Sequence, residues 1–251
     1  PWLSNCPAGE AKLDVFRSGL DPYKVNAAAT FRVPYEDVAA DQRQVGKVQE
    51  LALGFLGGAG AFEVFGRAYG IRLSPGEVQR AVDGWRRANP WAQAHGQQLE
   101  SAYLRAMRNK GHEFRAGRVV YLFDGQTLWY ALPSGRVLCY PNAKFDDEGN
   151  VTYTKAAWKP AADAKEWPRA RLWRGLACEN VTQAAAHDIL RHALRQIYDV
   201  VLHVHDEIVV ECREDIADAV SAEIHKIMCT PPAWAAGLPL AAEGVTTARY
   251  S

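Results

Sequence analysis

The sequence predicts an α+β fold in which helices form the first part of the chain and short antiparallel strands follow. Apolar residues recur at helical spacing, between capping residues, up to about residue 109. From Gly117 onward the apolar residues alternate along the chain, which is typical of half-buried strands. A last pair of apolar runs at residues 200–212 predicts a β-hairpin between two helices.

The N-terminal part is expected to be helical after an opening segment that has no clear first element. Asp21-Pro22 marks a turn in that opening segment. A helix is predicted to begin near Asp41, a plausible N-cap, in "DQRQVGKVQELALGF" and to end at "GGAG", residues 57–60. Further helices are predicted over about residues 76–88 and 91–109.

The alternating part, "RVVYLFDGQTLWYALPSGRVLCYP", contains three short apolar runs separated by turn residues, which predicts a small antiparallel meander. Residues 143–175 are expected to be polar and irregular. This stretch is either a solvated loop or a surface that faces phosphates. Its basic residues are Lys155, Lys159, Lys165, Arg169, Arg171 and Arg174. Two more helices are predicted, over residues 179–199 before the hairpin and 214–228 after it.

The composition disfavours several classes of protein. The chain has 251 residues, 48% apolar and 23% charged, which is an ordinary globular composition. We find neither a run of about 18 apolar residues nor a basic-then-apolar signal region. The 29 basic residues balance 29 acidic ones, which counts against a simple basic nucleic-acid-binding module but not against an enzyme with a basic groove. Five cysteines without C-x-x-C spacing favour a reducing compartment and disfavour a structural zinc site.

The hairpin "VVLHVHDEIVVEC" places two adjacent carboxylates, Asp206 and Glu207, at its bend. Two-residue hairpin turns favour Asn-Gly or Asp-Gly because their residues need positive φ, so Asp-Glu is a poor choice and adds charge repulsion. A local rule broken inside a regular element often marks a functional site. Two interpretations stay open from the residues alone: carboxylates that point into water, and carboxylates that bind a ligand.

A metal cluster of His203, His205 and Asp206 is a further interpretation of the hairpin. His203 and His205 are expected to share one face of the strand, and other strands would have to contribute more ligands. A metal hydrolase built on these residues is therefore a weaker hypothesis.

The helix near Asp41 carries Arg43 and Lys47 one turn apart on one face. They lie near the helix end where the dipole is positive and backbone N–H groups are free, so they predict an anion site of triphosphate size. Leu51 and Phe55 continue the stripe and offer an apolar surface for a base. The alternative is an ordinary amphipathic helix with exposed Arg and Lys side chains.

These motifs together resemble those of one family. "RQVGKVQELALGF" resembles the fingers-helix motif of the family A DNA polymerases, and "VHDEIVVE" resembles their third catalytic motif. "LPSGRVLCYP", "ENVTQAAAHDIL" and "PPAWAAGLPLAAEG" resemble the phage and prophage branch of that family. The resemblance spans nearly the whole chain and implies a right-hand polymerase architecture. A helical fingers subdomain with the small meander would cover residues 1–170, and a C-terminal palm fragment would cover residues 171–251.

The resemblance implies contacts with an incoming deoxynucleoside triphosphate. Arg43 and Lys47 would contact its phosphates, and Lys47 would also act on them during the reaction. Leu51 stands where the family usually has an aromatic residue that touches the sugar and base. Phe55 stands in the place of a Tyr beside the template base pair, so both positions depart from the family pattern.

The resemblance also implies contacts with primer-template DNA and with Mg²⁺. Gln183 would touch the minor groove of the duplex, and His205 would contact the primer terminus. Asp206 would bind the catalytic Mg²⁺ ions with Glu207 in support, so Asp206, Glu207 and Lys47 are the expected catalytic residues.

Family members carry a first catalytic motif, a strand ending in a metal-binding Asp, before the segment that matches "PWLSNCPAGEAKLDVF". Two catalytic ions lie about 3.5–4 Å apart, and one Asp-Glu pair on a hairpin is not expected to hold both. We therefore expect an N-terminal polymerase polypeptide or segment to supply the Asp. The alternative is an inactive fragment that binds nucleotide or DNA. The resemblance further implies the cytoplasm of a bacterial or phage-infected cell, without a membrane partner.

Overall fold

Helices fill most of the first hundred residues, and antiparallel strands follow them, so the predicted α+β class is confirmed. The structure is a computed structural model that describes residues 1–156 and 167–250. The chain divides into two units, Pro1–Val181 and Thr182–Ser251.

The first unit begins with helices joined by short turns. These helices are α1 (Glu10–Arg17), α2 (Pro22–Phe31), α3 (Ala40–Leu53), α4 (Ala59–Ala68), α5 (Pro75–Ala88) and α6 (Pro90–Arg108). α5 and α6 match their predicted ranges to within one residue at each end. The sequence interpretation missed α1, α2 and α4. It took the glycines around α4 as a helix terminator, whereas Gly58 is the residue that precedes this helix.

α3 begins near Asp41 as predicted, but Asp41 is not its N-cap. Ala39 precedes the helix, and its backbone N–H donates to the Oε1 atom of Gln42 at 3.0 Å. Asp41 lies in the first turn instead, where the positive end of the helix dipole favours a carboxylate. α3 ends at Leu53, before the "GGAG" segment.

α3 packs closely against α2 because a glycine stands at their contact. A Cβ atom at Gly46 would overlap the backbone carbonyl oxygen of Tyr23 on α2. The buried face of α3 carries Val45, Val48 and Leu53 and also packs against α4 and α5. This packing leaves the opposite side of α3, with Arg43 and Lys47, partly exposed.

The predicted meander is a four-stranded antiparallel sheet that packs on α6. Its strands, in sheet order, are β1 (Glu113–Ala116), β2 (Val119–Phe123), β3 (Leu128–Ala131) and β4 (Val137–Tyr140). A row of buried tyrosines crosses it, with successive ring centroids 6.1, 5.9, 5.2 and 4.9 Å apart. They are Tyr103, Tyr121, Tyr130, Tyr140 and Tyr153. This row joins α6 to the strands that follow.

The prediction that residues 143–175 are irregular was wrong. They contain a second antiparallel sheet of β5 (Lys144–Phe145), β6 (Val151–Thr154) and β7 (Arg169–Arg171). Arg169 donates hydrogen bonds to Thr152 and to the backbone oxygen of Asn142, so it supports this sheet. Lys159 and Lys165, part of the predicted basic stretch, lie outside the described residues.

The remaining elements are α7 (Arg174–Leu194), β8 (Val200–Val204), β9 (Glu207–Val210) and α8 (Ala217–Cys229). α7 begins and ends five residues earlier than predicted and crosses the boundary between the units. β8 and β9 form the predicted hairpin, and a 3₁₀ turn precedes α8. Within the described ranges, the helices are too short or too polar to cross a membrane.

Candidate functional site

Arg43 on α3 is held by an acidic and an aromatic side chain from the start of α2. Its Nε atom donates to the Oδ2 atom of Asp21 at 2.6 Å, and its Cζ atom lies 5.3 Å from the ring centroid of Tyr23. Asp21 is itself fixed because it is the N-cap of α2. Its Oδ1 atom accepts from the backbone N–H groups of Tyr23 at 2.8 Å and Lys24 at 3.4 Å. The sequence interpretation recognised the Asp21-Pro22 turn but not this contact.

The pKa shifts of Asp21 and Tyr23 agree with these contacts. Burial acts to raise the pKa of Asp21, but hydrogen bonds from Arg43 and from the backbone of Tyr23 outweigh it, so the pKa lies below its usual range. Burial raises the pKa of Tyr23, and the carboxylates of Glu50 and Asp21 raise it further against the opposing charge of Arg43. Asp21 is therefore ionised, and Tyr23 neutral, at neutral pH.

Lys47, one turn further along α3, lies over a second aromatic ring. Its Nζ atom is 4.8 Å from the ring centroid of Tyr69, which directly follows α4. No ion pair of Lys47 occurs within residues 1–156 and 167–250. The ammonium group is therefore attracted by the ring face but not neutralised by a carboxylate, and it can still bind an anion.

Glu50, three residues beyond Lys47, anchors α3 to its neighbouring helices. Its Oε2 atom accepts from Lys12 Nζ at 2.8 Å, from Asn26 Nδ2 at 2.6 Å and from Trp85 Nε1 at 3.2 Å. Three helices besides α3 thus converge on one carboxylate, and Lys12 compensates its charge. The sequence interpretation missed this cluster, because its members are far apart in the sequence.

The apolar part of the predicted stripe is only partly on the helix. Leu51 follows Lys47 by one turn and is 36% exposed, so its side chain is accessible beside the cations. Phe55 lies in the turn after the end of α3 and is partly exposed. The expectation that Phe55 continues the helical stripe was therefore wrong.

Gln183 belongs to the part of α7 that lies in the second unit. Its side chain is exposed, whereas Val181 and Ala185 on the same helix are buried. This exposure makes Gln183 accessible to a ligand.

The turn of the hairpin consists of His205 and Asp206, one residue earlier than the predicted Asp-Glu bend. Glu207 is the first residue of β9 and pairs with Val204. His205 has φ 53°, in the left-handed region where few residues other than glycine are found. His203 therefore lies in the strand and His205 in the turn, so the expectation that they share one strand face was wrong.

Asp206 and Glu207 are both exposed at this turn. The hydroxyl group of Tyr250 donates to the Oε2 atom of Glu207 at 3.1 Å, while the Asp206 carboxylate has no hydrogen-bond or ion-pair partner in the described ranges. Carboxylate oxygens are the ligands that Mg²⁺ prefers, and Mg²⁺ often takes one or two of them, so the donor set fits one such ion. Among the described residues, no three His, Cys, Asp or Glu side chains form a group that could hold a metal. His203, His205 and Asp206 therefore do not form the alternative metal cluster.

Known proteins similar to this chain were found by sequence and by structure. The chain is 33% identical over 256 residues to a DNA polymerase of Bacillus phage SP02, across 99% of this chain and 38% of the phage protein. It is 28% identical to DNA polymerase I of Pseudomonas aeruginosa, across 90% of this chain and 21% of that protein. No protein-family model matches the chain.

The fold is similar to a solved structure, the POL domain of Pol1 from M. smegmatis in complex with DNA primer-template and dNTP. The TM-score is 0.54 and the identity 17%, across 96% of this chain and 35% of that one. In sequence and in fold this chain is therefore similar to part of the DNA polymerases. The similarity to DNA polymerase I in both sequence and fold supports the resemblance to family A that the motifs of this chain indicated. It spans less than two fifths of the length of these relatives.

Proposed function

We propose that this chain is the fingers and C-terminal palm part of a template-directed DNA polymerase. The observation that carries the proposal is the pair of cations on α3, in a chain whose similarity to a phage DNA polymerase covers 99% of its length. In this proposal the first unit serves as the fingers and the second as part of the palm. The boundary between the units, after Val181, lies eleven residues beyond the predicted boundary at residue 170.

The first unit would bind the incoming deoxynucleoside triphosphate. Arg43 and Lys47 would hold its phosphates, because both side chains are partly exposed on one face of α3. Arg43 pairs with a single carboxylate, and Lys47 forms no ion pair in the part of the chain that the structure describes. Leu51 would lie against the sugar and base, and Phe55 would lie beside the template base pair. A leucine offers less surface for stacking than an aromatic residue, so we expect base contacts at Leu51 to be weak.

The second unit would contact the primer-template duplex and the metal. Gln183 would donate to the minor groove, and His205 would contact the primer terminus. Asp206 and Glu207 would hold Mg²⁺, which when bound supplies positive charge to the developing oxyanions of phosphoryl transfer. Because the chain spans 38% of the phage relative, a further segment of such a polymerase would supply another carboxylate ligand.

The reaction would be in-line attack of the primer 3′ oxygen on the α-phosphorus of the nucleotide, with pyrophosphate as the leaving group. Arg43 and Lys47 would orient the β- and γ-phosphates and stabilise the negative charge that builds up on pyrophosphate. Such catalysis depends on positioning and charge stabilisation. The relatives are bacterial and phage proteins, which supports the cytoplasm of a bacterial or phage-infected cell as the place of action.

Primer extension tests this proposal. The chain is assayed alone and together with a polypeptide that carries the preceding polymerase segment, with a labelled primer-template and all four nucleotides. We expect extension by the pair, and its loss with Asp206→Ala. If the pair binds the duplex but extends no primer, the chain is an inactive nucleotide- or DNA-binding fragment. Extension that survives Asp206→Ala contradicts the metal role of the hairpin.

A further inference from the structure

The contact between Asp21 and Arg43 leaves most of the guanidinium group available. Asp21 accepts from Nε alone, and the two terminal nitrogens of Arg43 make no hydrogen bond within residues 1–156 and 167–250. A bidentate pair would be stronger than this single bond and would occupy a terminal nitrogen as well. The single bond fixes the plane of the guanidinium and leaves its outer edge for another anion.

We propose that Asp21 is a positioning residue of the nucleotide site, which orients Arg43 so that the two terminal nitrogens of its guanidinium group face the triphosphate. The proposal rests on the function proposed above and adds a residue to it. Asp21 acts through Arg43 and does not itself touch the nucleotide.

Two features of α2 make Asp21 suited to this role. Its other carboxylate oxygen caps the helix, so the side chain is fixed before it meets Arg43. The next residue but one, Tyr23, lies against the guanidinium with its ring. An arginine whose Nε atom is hydrogen-bonded and whose guanidinium lies against an aromatic ring loses little conformational freedom when it binds a phosphate.

The carboxylate also has an opposite effect, because its negative charge weakens the attraction of Arg43 for an anion. Asp21 is partly exposed, so water screens this repulsion. The orienting effect does not depend on screening, because it comes from a direct hydrogen bond. We therefore expect the orienting effect to be the larger of the two.

Asp21→Asn separates this role from helix capping. Asparagine is as good an N-cap as aspartate, so its Oδ1 atom keeps the bonds to the start of α2. Its NH₂ group then stands where Oδ2 was and faces the Nε–H of Arg43, donor against donor. The substitution thus keeps the shape and the cap and removes the orienting bond.

The experiment is calorimetric titration of inorganic tripolyphosphate, and separately of a Mg²⁺-bound deoxynucleoside triphosphate, into the 251-residue chain. We expect Asp21→Asn to raise the Kd for both by about three- to fivefold, the size of a partly exposed ion pair, with little change in Tm. In an Arg43→Ala background the same substitution is expected to leave Kd unchanged, because Asp21 acts only through Arg43.

An unchanged or lower Kd in Asp21→Asn would overturn the proposal, and the lower value would mean that Asp21 chiefly repels the anion. An equal rise in the Arg43→Ala background would also overturn it, since the effect would then not pass through Arg43. If the wild-type chain bound neither probe, or bound them without need of Arg43 and Lys47, the proposed nucleotide site would fail together with this inference.

Discussion

The cationic face of α3 and the acidic turn of the hairpin differ in how firmly neighbouring side chains hold their charged groups in place. Arg43 and Lys47 are each held by neighbouring side chains of the same unit: Arg43 by Asp21 and Tyr23, Lys47 by Tyr69. Asp206 is exposed and lacks such a partner in the described ranges, and Glu207 has one exposed hydrogen bond. The two cationic side chains are therefore preorganised by contacts within their unit, whereas the two carboxylates have few contacts that would order them before a ligand binds.

The difference has a physical reason. A cation that must receive a flexible triphosphate gains affinity when its own side chain is already ordered. Two neighbouring carboxylates repel one another, and a protein cation placed beside them would compete with a metal. An exposed acidic turn with few internal bonds therefore leaves carboxylate oxygens available for the proposed metal.

The largest effect is expected from the carboxylate that anchors α3. Glu50→Ala leaves Lys12, which is 6% exposed, as a buried charge without its partner. We expect the free energy of unfolding to fall by about 3–5 kcal/mol, measured by chemical denaturation. Glu50→Gln is the matched control, because it keeps an acceptor oxygen for Asn26 or Trp85 and should cost less. Equal stability of Glu50→Ala and wild type would contradict the anchoring role.

The next effect is expected from the close approach of α2 and α3. Gly46→Ala puts a Cβ atom into the carbonyl oxygen of Tyr23 and forces the helices apart. We expect a loss of about 1–3 kcal/mol in unfolding free energy and weaker binding of tripolyphosphate, because Asp21 moves away from Arg43. Gly60→Ala in α4 is the control, since a Cβ atom there meets open space. A loss in the control as large as in Gly46→Ala would refute the packing argument.

A smaller effect is expected from the ring that holds Lys47. Tyr69→Leu removes the cation–π contact but keeps an apolar side chain, and Tyr69→Phe keeps the ring. We expect the Leu variant to lose about 0.5–1 kcal/mol in the binding free energy of tripolyphosphate and the Phe variant to match wild type. Titration calorimetry measures both. Identical affinities of the Leu and Phe variants would show that the ring does not orient Lys47.

The smallest effect is expected at the hairpin. Tyr250→Phe removes the hydrogen bond to Glu207, which both residues make at the surface. We expect the free energy of unfolding to change by less than about 0.5 kcal/mol. Amide hydrogen exchange of residues 200–210 should also stay the same. A large loss of hydrogen-exchange protection in these residues would mean that the Tyr250 bond holds the acidic turn in place. The turn would then be preorganised, as the cations of α3 are.

The sequence predicted the elements whose ends carry local signals. α5 was predicted to within one residue, and its start carries such a signal: Ser74 precedes a proline, and its backbone N–H and hydroxyl group both donate to Glu77. The second sheet was missed because β6 and β7 pair across an intervening segment, and such pairing leaves no local trace. The hairpin was recognised, but its turn was placed one residue late, because the left-handed conformation of His205 is not evident from residue type.

The site residues divide in the same way. Arg43 and Lys47 were predicted as candidate phosphate ligands from their spacing on one helix. Asp21 and Tyr69 were not, although each touches one of these cations, because they come from α2 and from the end of α4. Contacts between helices depend on packing, here on the close approach at Gly46, and packing is not encoded in any short motif.

The central claim is that the cations of α3 act on the phosphates of the nucleotide during DNA synthesis. Single-nucleotide incorporation by this chain together with the polypeptide of the primer-extension assay tests it. Lys47→Ala is compared with Lys24→Ala, a control lysine that also lies over a tyrosine ring. We predict that Lys47→Ala lowers the incorporation rate by about 100-fold or more, while duplex affinity and the control variant stay close to wild type. An unchanged incorporation rate in Lys47→Ala would contradict the claim.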